Sequence, residues 1–126
     1  MKLILAIAAG GAIGAVGRHY VSAQVMKVLG SGFPWGTVSV NVLGSFAMGA
    51  LIELMALRWN VGNELRAFMT VGFLGAFTTF STFSLDFATL LERGEGYTAL
   101  GYAALSVVLA VLGLFGGLAM TRMFLT

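Results

Sequence analysis

Residues 72–84 read Gly-Phe-Leu-Gly-Ala-Phe-Thr-Thr-Phe-Ser-Thr-Phe-Ser. Five of the seven residues from Thr78 to Ser84 are Ser or Thr, and the other two are Phe80 and Phe83. This hydroxyl-rich segment lies at the middle of an apolar run, Leu65 to Leu91, that carries no charge from Ala67 to Leu85. A run of that length is enough to cross a bilayer as a helix, so position 78 falls at the membrane centre. Unsatisfied polar groups are costly there. At 100° per residue the hydroxyls point all round a helix, and some must face protein or water. Gly72, Gly75 and the β-branched threonines also weaken a helix. Two readings follow. The helix is broken here and its freed carbonyls take a partner, a bound cation being one candidate; or it is intact and the hydroxyls bond back to their own carbonyls.

Working outward, three further apolar runs flank this one. The first spans about 3–27 and contains Arg18 and His19; the second, about 36–57, follows the Gly30-Ser31-Gly32-Phe33-Pro34 break; the fourth, about 97–124, has no charge from Gly96 to Thr121. The third spans about 65–91. Short polar loops separate them, at 58–64 and 92–96. Pro34-Trp35 reads as a helix start with an interfacial Trp. The expected fold is an all-α membrane protein, one four-helix transmembrane domain over 1–126. Lys2 ahead of the first run also resembles an export signal, but the rest of the chain is as apolar as its beginning.

Composition agrees. The chain has 126 residues, 59% hydrophobic and 10% charged, with 18 Gly, one Pro and no Cys. A soluble domain carries about 25% charge, and one this small could not bury so much apolar surface. Absence of Cys excludes disulfides and thiolate chemistry, and a single His cannot build a histidine-rich metal site. The seven Lys and Arg are scattered, with no two adjacent, so there is no nucleic-acid patch. No nucleophile–base pair or carboxylate cluster suggests an enzyme.

Topology is weakly encoded. Four spans put Lys2, Arg58, Arg66 and Arg122 on one face and Lys27 and Arg93 on the other, a small bias under the positive-inside rule. Gly10/Gly14, Ser45/Gly49 and Gly113/Gly117 are small-xxx-small pairs. They serve either packing within one subunit or a dimer seam.

Polar stripes mark candidate functional residues. Thr37, Asn41 and Ser45 repeat every four residues on the second span, as do Thr98, Tyr102 and Ser106 on the fourth. Each stripe suits a narrow hydrated path or interhelical hydrogen bonds. Six of the ten Phe lie between 68 and 87. Phe80 and Phe83, three apart, share a helix face. They are either lipid-facing or core rings, or rings whose positive edges meet an anion. Arg18 either snorkels to headgroups or supplies positive potential at an anion entrance. Asp86 is open between capping, pairing with an Arg, and a pathway mouth.

The segments GGAIGAVGRHY (10–20), PWGTVSVNVLGSFAMG (34–49) and GFLGAFTTFSTFS (72–84), with the spacing of all four spans, resemble the Fluc (CrcB-type) fluoride channel family. The resemblance covers essentially the whole chain and rests most on the last motif. It implies an antiparallel, dual-topology homodimer in a bacterial-type inner membrane, with two pores for passive fluoride export that protects the cell. It implies a third helix broken near its middle. It also implies a fluoride pathway drawn from Phe80 and Phe83, Asn41, Tyr102 and Ser106, with Thr37, Ser81, Thr82 and Arg18 as further candidates. A structural Na⁺ at the dimer centre would be held by the carbonyls of Gly75 and Thr78 of both subunits. Two departures stand out: Ala76 replaces the second Gly of the usual pair, and Ala110 and Leu114 replace hydroxyls that usually extend the fourth-span track. The alternatives are a small multidrug-type proton-coupled transporter and a structural membrane subunit. The first needs a carboxylate in the first span, which has none. The second leaves Asn41 and the 78–84 hydroxyls without a role.

Overall fold

The computed structural model describes residues 1–126. Four long helices follow one another: α1 (Lys2–Leu29), α2 (Trp35–Leu57), α3 (Asn63–Glu92) and α4 (Gly96–Leu125), each long and apolar enough to cross a membrane. Helices satisfy their own backbone groups, as a spanning segment in lipid must. The chain is an all-α membrane protein whose helix limits lie at most two residues outside those expected from the apolar runs. Turns are placed by local chemistry. Gly30 ends α1 at φ 86°, Pro34 precedes the first residue of α2, and Gly94 turns the α3–α4 loop at φ 78°. The two glycines hold left-handed conformations that side chains resist.

Only 18 of 126 residues are buried, so the outer surface is the apolar one, as lipid requires. The helices alternate in direction, which makes α2 and α4 parallel, and they pack along their length. Backbone meets backbone there: a Cβ on Gly49 would strike the Leu114 carbonyl, and one on Gly117 the Phe46 carbonyl. On the other side of the subunit, Gly10 and Gly14 seat α1 against the backbone of Phe68 and Phe73. All three small-xxx-small pairs are therefore engaged, through at least one glycine each, in packing within the chain. They supply no argument for a dimer seam.

The third helix departs from regularity twice. Asn63–Ala67 is α-helical, Phe68–Leu74 winds in wider π-type turns, and Gly75–Phe77 returns to α geometry. The chain then extends through Thr78 (φ −87°, ψ 158°) and Thr79 (φ −152°, ψ 125°) before a second helical half, Phe80–Glu92. The helix is thus broken near its middle, at Thr78–Thr79, as the hydroxyl-rich segment suggested.

Candidate functional site: the break in the third helix and the clefts beside it

Breaking a helix in a membrane frees backbone groups that need new partners. Thr79 solves part of this locally. Its Oγ1 accepts the Thr82 N–H at 3.1 Å and caps the second half of α3, as a Thr at this position commonly does. Its own N–H would have closed a helical bond to the Gly75 carbonyl. It is donated instead to Asn41 Oδ1 at 2.7 Å, and Asn41 Nδ2 donates to the Thr79 carbonyl at 3.1 Å. The carboxamide of α2 therefore clamps one residue of the break at both its donor and its acceptor. Arg18 of α1 donates from Nε to the Ala76 carbonyl at 3.0 Å. Alanine at position 76 leaves that carbonyl in use. Thr78 bonds its hydroxyl back to the Leu74 carbonyl at 3.0 Å, and its own carbonyl takes no hydrogen bond. The intact-helix reading therefore fails at Thr78–Thr79, although Thr78 and Ser84 do back-bond and Thr79 caps the second half.

Two clefts meet at Thr79. One, of about 250 Å³, lies between α2, the break and α4, and is lined by Asn41, Ser45, Thr78, Phe80, Phe83 and Ser106 as well as Thr79. Ser106 is 5% exposed, and its hydroxyl has no hydrogen-bond partner. A buried hydroxyl without a partner costs about 1–3 kcal/mol, and here it belongs to a residue of the cleft wall. Phe80 and Phe83 stand 5.5 Å apart between centroids, tilted by 41°. Phe80 is 77% exposed on the outside of the chain, whereas Phe83 packs into the core against Tyr102, centroids 5.2 Å apart. The two share a cleft yet differ sharply in exposure.

The other cleft, of about 380 Å³, is lined by Arg18, His19, Ser22, Thr37, Thr79 and Thr82, together with Ala15, Ala23 and Val40. It carries a guanidinium and no carboxylate, which suits an anion. Ser81 is exposed, with its Oγ 3.3 Å from that of Thr79.

Beyond Phe83 the two polar stripes converge on Asp86. Thr37 Oγ1 donates to Asp86 Oδ2 at 2.6 Å, and the hydroxyl of fully buried Tyr102 donates to the same oxygen at 3.0 Å. The stripes therefore divide. Thr37 and Tyr102 make interhelical bonds, and Asn41 braces the break, while Ser45 and Ser106 belong to the cleft wall, the Ser106 hydroxyl oxygen itself being buried. Sequence alone leaves Asp86 open between three roles, and the structure makes it the shared acceptor of both stripes. The signal is that Thr37 opens one stripe, Tyr102 is the middle donor of the other, and Asp86 is an acceptor on the helix between. A further cleft of about 250 Å³ reaches Asp86 from the Ser31–Pro34 loop and also includes Arg93.

Residues 5–118 match the family described as CrcB-like protein, Camphor Resistance (CrcB). The chain belongs to the CrcB-like protein family. Among its relatives is the "Fluoride-specific ion channel FluC" of Rhodospirillum centenum, 55% identical over 122 residues, which are 97% of each chain. Proteins of the same name from Chelativorans sp. and Mesorhizobium japonicum are 49% and 48% identical. The first match covers 99% of this chain and 100% of the relative, and the second 94% and 95%. The match runs through nearly the whole chain and takes in the segments that carry both the Asn41 clamp and the broken third helix.

Proposed function

We propose that this CrcB-like chain is a fluoride channel, not an enzyme. It sits as a multi-pass protein in the bacterial plasma membrane and lets fluoride leave the cell passively. The observation that carries this reading is the cleft at the break. A buried hydroxyl without a partner, Ser106, shares that cleft with the Asn41 amide and the rings of Phe80 and Phe83. Hydroxyl and amide donors with positive ring edges suit a small, strongly hydrated anion. No Lys or Arg lines this cleft, so nothing there holds the ion too tightly to release it. Arg18, in the neighbouring recess with Thr37 and Thr82, raises anion concentration at the approach. Beyond Phe83, Tyr102 is already engaged with Asp86, so an ion moving that way competes with a carboxylate for hydroxyl donors. A proton-coupled multidrug transporter fits less well, because α1 has no Asp or Glu. The assay is fluoride efflux from liposomes holding purified protein, with chloride as control. Efflux should need a counter-ion carrier and no proton gradient. Dependence on a proton gradient would overturn the channel reading.

The proposal extends to an antiparallel homodimer. Gly75, Phe80 and Ser81 are exposed in the single chain at mid-membrane, where freed carbonyls and hydroxyls face a heavy desolvation cost in lipid. A second copy laid break against break would cover them. The near balance of cations between the two faces supports dual topology. The break also fits a monovalent cation. The Gly75 carbonyl has lost its helical donor to Asn41, the Thr78 carbonyl is unpaired, and the Thr78 hydroxyl is engaged elsewhere. Two copies would present four carbonyl oxygens and no carboxylate. That suits Na⁺ better than Ca²⁺ or Mg²⁺, which take six or more oxygens. When bound, the ion would neutralise those dipoles and add positive potential beside the anion clefts.

A further inference from the structure

The end of the α2–α4 pair farthest from the Asp86 network has features that the fluoride reading does not use. A groove of about 470 Å³ runs between the C-terminal ends of the two helices, walled by Ala47, Leu51 and Leu54 on α2 and by Met120, Phe124 and Leu125 on α4. Arg58 stands outside the groove wall but reaches it at Leu125, donating from Nη2 to the Leu125 carbonyl at 2.6 Å and so capping α4. Trp59 follows, in the position of an interfacial aromatic. The other arginine here, Arg122, is neutralised by Glu53 at 2.9 Å. Arg58 has no carboxylate within ion-pair distance, and it is exposed. A guanidinium has five N–H donors. One is spent on Leu125, and the rest form an uncompensated cation at the mouth of an apolar groove.

We propose that this groove binds an anionic phospholipid, with an acyl chain between α2 and α4 and the headgroup phosphate on Arg58. Guanidinium forks match phosphate oxygens in geometry and charge. Basic positions between spans at the membrane surface are natural headgroup sites. The groove supplies the second half of the recognition, because its apolar walls give an acyl chain a recess to pack into beside the headgroup site. The proposal does not depend on which ion the chain conducts.

The test is thermal unfolding of the purified, delipidated full-length protein in detergent. The probes are phosphatidylglycerol, phosphatidylcholine with the same acyl chains, and inorganic phosphate alone. Phosphatidylglycerol should raise the midpoint by several degrees more than phosphatidylcholine, and phosphate should raise it little. Arg58→Gln should remove the difference between the two lipids. Ala47→Phe, which fills the groove and leaves the guanidinium, should shrink the effect of both. Equal shifts for the two lipids on the unaltered protein would overturn the proposal, as would a preference that survives Arg58→Gln. A full effect from phosphate alone would assign the site to a free anion and overturn the lipid. Loss of the dimer in Ala47→Phe would assign the groove to a second copy, with the same consequence.

Discussion

The α2–α4 seam and the break in α3 are built from similar residues, glycines and small hydroxyls beside apolar side chains, yet they end in opposite conditions. Along the seam, Gly49 and Gly117 let backbones touch, and the contacts close within one chain. At the break, side chains from two other helices are recruited to replace missing helical bonds, and the replacement is incomplete. The Thr78 carbonyl and the Ser106 hydroxyl remain without partners. Close packing is self-sufficient, whereas the break leaves polar groups without a partner in the chain. That difference separates scaffold from site.

The sharpest way to break the comparison is at the seam. Gly49→Leu puts a side chain into the Leu114 carbonyl. Overpacking a rigid backbone contact costs about 3 kcal/mol, so folded protein should be nearly lost on size-exclusion chromatography in detergent. Normal yield would mean that the seam is as loose as the break.

At the break itself, Asn41→Leu removes both halves of the clamp and leaves the Thr79 N–H and carbonyl unpaired. Each such group costs about 1–3 kcal/mol. Fluoride flux should fall more than tenfold, and the unfolding midpoint should drop as well. Asn41→Asp keeps the acceptor for the Thr79 N–H but sets a carboxylate oxygen against the Thr79 carbonyl. It should therefore lose flux too while retaining more stability.

A finer cut separates the two rings. Phe80→Ile and Phe83→Ile should each lower flux about tenfold or more, because apolar volume is largely kept and the quadrupole is lost. Only Phe83→Ile should also reduce stability, since Phe83 packs on Tyr102 while Phe80 is 77% exposed. Full flux in both variants would return the rings to packing roles.

The smallest structural effect is expected at Ser106→Ala. The hydroxyl makes no bond within the chain, so its removal breaks nothing and the unfolding midpoint should hold or rise. Flux should still fall if the hydroxyl serves the ion. A large loss of stability with unchanged flux would show that a protein group, not the anion, completes Ser106.

Much of this was legible before any fold was known. Charge-free runs separated by short polar loops define four spans, because a bilayer demands about twenty apolar residues and a self-satisfied backbone. The hydroxyl cluster after Gly75 marked the place where regularity fails. Asn41, Phe80, Phe83 and Ser106 stand out in sequence among the polar and aromatic residues of so apolar a chain, and one cleft brings them together. The clamp was not legible. That Asn41 spends both ends of its amide on Thr79 depends on the rotation of α2 against α3, and sequence periodicity places a residue on a face without saying what the face meets.

Sequence alone determined the membrane class, the number of spans and the weakness of the third helix at its centre. Each is a local property, set by the cost of charge and of unpaired backbone in hydrocarbon. Only the tertiary structure decided that the glycine pairs are engaged inside the subunit, that Arg18 braces the Ala76 carbonyl, and that Thr37 and Tyr102 converge on Asp86. Each of these joins residues distant in the chain. The pairing follows from how four apolar helices settle against one another, because a polar group in lipid takes whichever partner the packing brings within about 3 Å.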